Sequence, residues 1–338
     1  MPKFFWSLLF ALLPGWLLLV STAAADPLPE KVVVATWNVE WLFDNYTGDN
    51  PQELAREQSA PSREEWDWKL AGVAKVIAEI KPTILALQEI ENKRVLVFLN
   101  SLLKKQYGLD YKIAFIEGED FFTEQDVGVM ALSGLTEFSF KRQTQEMYET
   151  KEFYNINKHI LCRLAWGSGP ERQELTMLNV HFRAMPEATE IRKRQGKLAR
   201  SFVAAEMQAG KNVMVLGDIN TDETYETTTP DGDIGTLRGL HTPATDDDLI
   251  DLYQFYKGES KETHLVHKQF DHILVTPSLV KGDGSGKGLV FESIAIRKDL
   301  VLRGEQDQDH MNIYWTIPQT ERDISDHYPV VAEFAVRK

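Results

Sequence analysis

Eight polar residues sit where apolar runs of this sequence begin or end: Asn38, Glu89, His181, Asp218, Asn220, Asp271, Asp326 and His327. They offer carboxylate and amide oxygens and two imidazoles. Oxygen donors without cysteine sulfur suit a hard cation, Mg2+, Mn2+ or Ca2+, in preference to structural zinc. Neither H-E-x-x-H nor C-x-x-C occurs. The histidines are then left for acid/base work and phosphate contacts, because an imidazole with an ordinary pKa of about 6.5 exchanges its proton near neutrality. The stretch 211–220, KNVMVLGDIN, carries the pattern most fully. Val213 to Leu216 is apolar without alternation, Gly217 lets the backbone turn closely, and Asp218 and Asn220 can project to one side. Alone, such a tip is equally an ordinary strand exit, where Gly, Asp and Asn are the usual turn residues. Four other strands that end in the same way shift the balance toward a site.

Residues this far apart need a scaffold that gathers strand ends. The β-branched run 31–36 reads as a strand ending at Trp37-Asn38, and 83–87 as a second closed by Gln88-Glu89. Between them, 44–63 reads as an exposed loop, while Trp66, Leu70, Val73, Ile77 and Ile80 form a helical stripe that Pro82 stops. A second helix is expected over 93–105 and strands over 111–116, 127–132 and 137–140, with Asp126 at the entry of one. A strand pair, 160–166 and 174–180, leads to His181, and the longest helix, 187–208, feeds the run at 213–216. Residues 221–248 read as a long acidic loop beside the polar tip and 282–288 as a flexible link. Strands at 273–275 and 328–336 follow Asp271 and Asp326-His327. With no repeat and no linker, one α/β domain is expected over 30–338, its site in the crevice at one sheet edge.

A hydrophobic share of 43% is enough to build a large core and excludes a disordered chain. Residues 4–25 are apolar behind Lys3 and finish in Ala23-Ala24-Ala25, the order of a secretory signal peptide. Removal of 1–25 is expected, giving a secreted or periplasmic protein with no stable membrane insertion; an uncleaved anchor is the alternative. Cys162 is the only cysteine, so an intramolecular disulfide is excluded and a buried small hydrophobe is expected. A net charge of −14 makes the chain a poor general counter-ion for nucleic acid, so binding there must be local or metal-assisted.

Six motifs occur in one order: Thr36-Trp37-Asn38, Leu87-Gln88-Glu89-Ile90, Asn179-Val180-His181-Phe182, Gly217-Asp218-Ile219-Asn220, Phe270-Asp271-His272-Ile273 and Ser325-Asp326-His327-Tyr328-Pro329-Val330. The set resembles the endonuclease/exonuclease/phosphatase family, in the style of pancreatic-type deoxyribonuclease and the secreted bacterial nucleases. The resemblance spans nearly the whole chain after the leader. It implies a four-layer α/β sandwich, two central mixed β-sheets flanked by helices, that cleaves phosphoester bonds with Mg2+ or Mn2+, and with Ca2+ as an additional structural ion. Carried over by position, Asn38 and Glu89 hold the metal, with Asp326 joining them. Asp218 orients or deprotonates the attacking water, and Asn220 positions the phosphate. His327, held by Asp271, donates to the phosphate, and His181 helps from the other side. Asp126 is the counterpart of an acidic partner for the first histidine, and Arg183 is the candidate for touching substrate. Asn157 or Lys158 stands where many nucleases place an arginine. His159, His241, His264, His267 and His310 are expected in loops or at the surface, and the basic cluster 192–200 on a solvated helix face. The expected function is a monomeric phosphodiesterase acting on DNA or RNA. The alternatives are a phosphatase or phospholipase on inositol phosphates or sphingomyelin, for which no exposed aromatic hairpin is read, and a catalytically silent binding module.

Overall fold

The computed structural model describes residues 25–338 except 283, 285–286 and 306–309. The expected signal peptide, apart from Ala25, and three residues of the expected link at 282–288 lie outside the described residues. The aliphatic and β-branched runs form β1 (Lys31–Leu42), β2 (Ile84–Ile90), β3 (Lys112–Phe115), β4 (Asp126–Ala131), β5 (Leu135–Ser139) and β6 (His159–Trp166). The second half adds β7 (Gln173–His181), β8 (Val213–Asp218), β9 (Ile250–Asp251), β10 (Asp271–Val275), β11 (Gly288–Ile296) and β12 (Val330–Arg337). They make two six-stranded sheets, ordered β11-β12-β1-β2-β4-β3 and β5-β6-β7-β8-β10-β9. Both are mixed, because β1 runs parallel to β2 and β7 parallel to β8, while the other pairs are antiparallel.

Alternation along each strand decides which layer a side chain joins. Val32 and Val34 of β1 meet Cys162 and Leu164 of β6 and Met214 and Leu216 of β8 between the sheets. On one outer face, Ala35 and Trp37 pack with Val73 and Ile77 of the helix Arg63–Ile80 and with Leu96 and Leu99 of the helix Lys93–Tyr107. On the other, Leu178, Val213 and Val215 pack with Leu198 and Phe202 of the helix Thr189–Gln208. The four expected layers result. With each fully buried Val or Leu contributing ~1.5–3 kcal/mol, three apolar layers hold the sandwich without a disulfide. Cys162 is a buried free thiol in the central layer, pushed up to about 12 by burial.

Several segments depart from the sequence reading. Within 44–63, the helix Glu53–Gln58 forms and Asn50 is buried, donating to Ser59 Oγ at 3.1 Å and Glu91 Oε1 at 2.9 Å. Residues 221–248 contain the helix Asp233–Arg238, whose Ile234 and Leu237 complete an apolar layer. Buried Asp233 accepts from Arg192 Nε at 2.6 Å, and Arg200 reaches Asp247 at 2.8 Å. These two members of the basic cluster are therefore interior, because the acidic segment folds over them.

Candidate active site

The carboxyl ends of β1, β2, β7 and β8 converge at one edge of the sandwich, as the contact between Asn38 and Asp218 requires. In one sheet the register sets His181 of β7 beside Asp218 of β8, and Asp218 beside Asp271 of β10, a single cross-strand row of functional groups. Gly217 has φ 134, and a Cβ there would collide with the carbonyl oxygen of Val180, so β8 can lie against β7 at this point only as glycine. In the other sheet, Asn38 pairs with Gln88, and both strands then become irregular. Glu40, Trp41 and Glu89 take φ values of 49, 46 and 62 in these bulges. A bulge re-aims side chains, and here it turns Glu89 toward Asn38. Positive φ outside glycine costs of order 1–3 kcal/mol per residue and collects at functional sites. Below the bulges, Gln88 Nε2 donates to Asn179 Oδ1 at 2.7 Å, and Asn179 Nδ2 donates to the carbonyls of Leu87 and Gly128 at 3.0 Å. This buried brace ties the two sheets together under the site.

Asn38 Nδ2 donates to Glu89 Oε1 and to Asp218 Oδ2, both at 3.0 Å, while its Oδ1 accepts from the Glu40 N–H at 2.9 Å. The backbone donor identifies the amide oxygen, so the nitrogen is what faces the carboxylates. Glu89 Oε2 accepts from the Trp41 N–H at 3.0 Å, and Asp218 Oδ1 from the Asn220 N–H at 2.8 Å. Asn220 Nδ2 donates to the Phe182 carbonyl at 3.2 Å. His327 Nδ1 lies 2.8 Å from Asp271 Oδ2, and its Nε2 3.6 Å from Asp218 Oδ2. His181 Nε2 is 3.5 Å from Asp218 Oδ2 and 4.0 Å from Glu89 Oε1. Asp326 Oδ1 is buried without a hydrogen-bond partner among the described residues. Glu89, His181, Asp218, Asn220, Asp326 and His327 line a groove of about 1500 Å3, with Asn38 and Asp271 standing behind them.

Burial raises Glu89 to about 7, the charge of Asp326 adding to it, and raises Asp218 to about 6 against the pull of His327. Burial also works against a charge on His327, but Asp271 and Asp218 outweigh it and hold the ring well above its ordinary value. His181 goes the other way, lowered well below 6.5 by burial and by the cations Lys158 and His327. One histidine thus keeps its proton and the other stays neutral, a separation that assigns donor and acceptor roles. The unpartnered Asp326 oxygen and the like-charge pressure between half-buried Glu89 and Asp326 fit a hard divalent cation.

Arg183 stands exposed at the groove rim, its backbone N–H donating to Gln195 Oε1 at 3.0 Å. Lys158 lines the groove, 2.8 Å from Asp120. Asp126 is not brought to His181. Its Oδ1 accepts from the Gly118 N–H at 2.8 Å, turning the carboxyl into the preceding loop, and burial raises it to about 8. His181 Nδ1 consequently has no partner among the described residues.

Of the five histidines expected in loops or at the surface, His159 and His310 are buried in a strand and a helix, while His264 keeps its loop but turns to the site. His159 is buried between Phe140 and Phe202, ring centroids 4.2 and 5.1 Å away. His310 is buried 2.8 Å from Glu40, whose carboxylate also accepts from the Asp326 N–H at 2.8 Å. His264 packs edge-on to His327 at 4.4 Å, and its Nε2 lies 3.2 Å from Asp326 Oδ2. The Val266 N–H donates to His264 Nδ1 at 3.0 Å, so the neutral ring carries its proton on Nε2 and donates to Asp326. His241 and His267 are exposed, as expected. No local pattern marks His264 or His310, since the carboxylates they reach at the site, Asp326 for His264 and Glu40 for His310, lie 62 and 270 residues away in sequence. Phe121 and Phe122, 72% and 68% exposed, form an aromatic turn where no exposed aromatic hairpin is expected from the sequence.

A sequence model of the endonuclease/exonuclease/phosphatase family matches residues 33–336. Among curated proteins, no sequence matches the chain. Similar solved structures include truncated TDP2 from Caenorhabditis elegans, 16% identical with a TM-score of 0.54, covering 90% of this chain and 98% of that one. The human Nocturnin catalytic domain with bound sulfate is 14% identical with a TM-score of 0.55, covering 92% and 96%. TDP2 from D. rerio complexed with single strand DNA product is 14% identical with a TM-score of 0.51, covering 91% and 100%. At these identities the structures show a shared fold.

Proposed function

The chain belongs to the endonuclease/exonuclease/phosphatase family, and on that footing we propose that it is a divalent-metal-dependent phosphodiesterase acting on nucleic acid. The observation that carries this reading is Asn38 Nδ2, which clamps Glu89 and Asp218 at 3.0 Å each, one from either sheet. Glu89 and Asp326 would hold Mg2+ or Mn2+, which neutralises phosphate charge when bound. Asn38 orients the carboxylates through its nitrogen. Asp218, held by the Asn220 N–H, accepts the proton of the attacking water, and its elevation to about 6 suits a general base near neutrality. His327 donates from Nε2 to phosphate oxygen as negative charge develops, because Asp271 on Nδ1 keeps the ring protonated. Neutral His181 lines the opposite side, and Asn220 positions the phosphate.

Nucleic acid is the favoured substrate because a structural relative holds a single strand DNA product. The leader at 1–25 supports export, and we assign the protein to the periplasm or exterior as a monomer. N-terminal sequencing of exported material should begin near Asp26. The exposed Phe121 and Phe122 favour a second reading, a phospholipase that docks on lipid. Incubation with plasmid DNA, RNA, sphingomyelin and a phosphomonoester, each with Mg2+, Mn2+ or EDTA, separates the two. Metal-dependent cleavage of nucleic acid is expected, abolished in EDTA and in folded Glu89→Gln. Undiminished turnover in EDTA would overturn the metal assignment, and preference for sphingomyelin would favour the second reading.

A further inference from the structure

The groove does not end at the catalytic carboxylates. It continues along a wall drawn from 142–158 and from the turn that carries Phe122. Its volume of about 1500 Å3 exceeds the ~300–1,000 Å3 typical of small-molecule sites, so room remains after one phosphodiester is seated. Aromatic rings line this extension while staying open to water: Phe122 and Tyr148 are each 68% exposed and Tyr154 40%. The same chain buries Trp37, Trp166, Tyr253 and Tyr328 almost completely. Cations share this lining. Lys151 and Arg183 are exposed on the lining, and neither side chain has an ion-pair partner among the described residues. Arg194 lies 5.3 Å from the Tyr154 ring centroid. In a chain of net charge −14 these unpaired cations are a local reversal of sign.

Resting on the phosphodiesterase reading above, we infer that this extension binds a single-stranded stretch of the nucleic acid, bases stacked on Phe122, Tyr148 and Tyr154 and phosphates met by Lys151 and Arg183. Stacking on rings is open only to bases that are not already stacked in a duplex, and it tolerates any base because each has a π face. Cations on the same wall can meet the phosphates, and they offset the acidity of the catalytic end. Tyr148 and Tyr154 line a concavity, which a flat lipid surface cannot enter.

The test is binding without turnover, read by fluorescence anisotropy with Glu89→Gln protein in Mg2+ and with wild type in EDTA. The probes are a short labelled oligothymidylate, a duplex of the same length, and competing phosphatidylserine-containing vesicles. Single strand should bind more tightly than duplex and resist displacement by vesicles. Tyr148→Ala and Phe122→Ala should each weaken it by roughly tenfold, while Tyr148→Phe, which keeps the ring, should restore binding. Lys151→Ala should reduce the salt dependence by about one counter-ion. All three positions are exposed, so folding is checked simply by thermal melts. The inference is overturned if both alanine variants bind as wild type does, if duplex or vesicles win, or if no single strand is bound under either condition. A protein that binds the strand in this way yet cleaves nothing would sink the hydrolase reading alone. An active enzyme whose ring variants bind normally would sink this inference alone.

Discussion

Asp271 and His272 are neighbours on β10, and strand alternation turns them to opposite faces, so each enters a different histidine–carboxylate pair. His272 lies 3.0 Å from Asp251 through Nδ1 and 3.0 Å from the Gln269 carbonyl through Nε2, with both His272 and Asp251 fully buried. Both partners only accept, so both ring nitrogens carry protons and the ring has nothing left to offer. His327 shares its Nδ1 with Asp271 in the same way, but its Nε2 lies 3.6 Å from Asp218, beyond hydrogen-bond distance, and looks into the groove. Burial opposes charge on both rings and the paired carboxylates overcome it in both. Charge state therefore does not distinguish a structural pair from a reactive one; an unsaturated nitrogen facing a cavity does.

The largest test of that distinction is on the reactive pair. His327→Ala should lower kcat by roughly 10²–10⁴-fold, the range for a positioned proton donor, with the fold retained. Asp271→Asn should cost nearly as much, and the double variant far less than the product, because the two act as one unit. A double-mutant cycle on turnover at saturating metal, with thermal melts, reads this; losses that simply multiply would separate the residues. Next, His272→Asn should strand the buried Asp251 carboxylate and cost about 3–5 kcal/mol of stability, while protein that remains folded keeps its kcat. Urea unfolding and turnover on the same sample decide. A collapse in kcat without a change in stability would erase the distinction drawn here.

The smallest effect is a pH dependence. The folded-state pKa of His272 is raised above its ordinary value, so its contribution is fully present below about pH 6.5, where the unfolded ring is also protonated. It is lost as pH rises through the folded pKa, because folding must retain a proton that the unfolded chain has released. The stability gap between wild type and His272→Asn should therefore be widest in acid and narrow with rising pH. A gap that is flat across this range in denaturant titrations would mean that the pair is not held by charge.

Most of the framework of this site was legible from local pattern. The tips at Asn38, Glu89, His181, Asp218, Asp271 and Asp326-His327 do converge, since a run that must be buried on both faces can place polar groups only where it ends. Gly217 was legible too, because few residues other than glycine tolerate its backbone. The surroundings of the other histidines were not. His264, His310 and His159 gain their surroundings from Asp326, Glu40, and the rings of Phe140 and Phe202, and nothing in their immediate sequence anticipates those contacts.

By itself, then, the sequence determined the layering, the strand ends and the donor types gathered there, because hydrophobic period and turn chemistry act over a few residues. Only the tertiary structure decided which of those donors face one another. The bulges after Asn38 and at Glu89 rotate side chains without any change in apolar pattern. Asp126 turns to a backbone N–H eight residues earlier in place of His181. Asn38 presents nitrogen because the Glu40 N–H claims its oxygen. Two adjacent residues of β10 were told apart in the same way, by what stands opposite each face, and that is set by the register of the sheets and the packing between them.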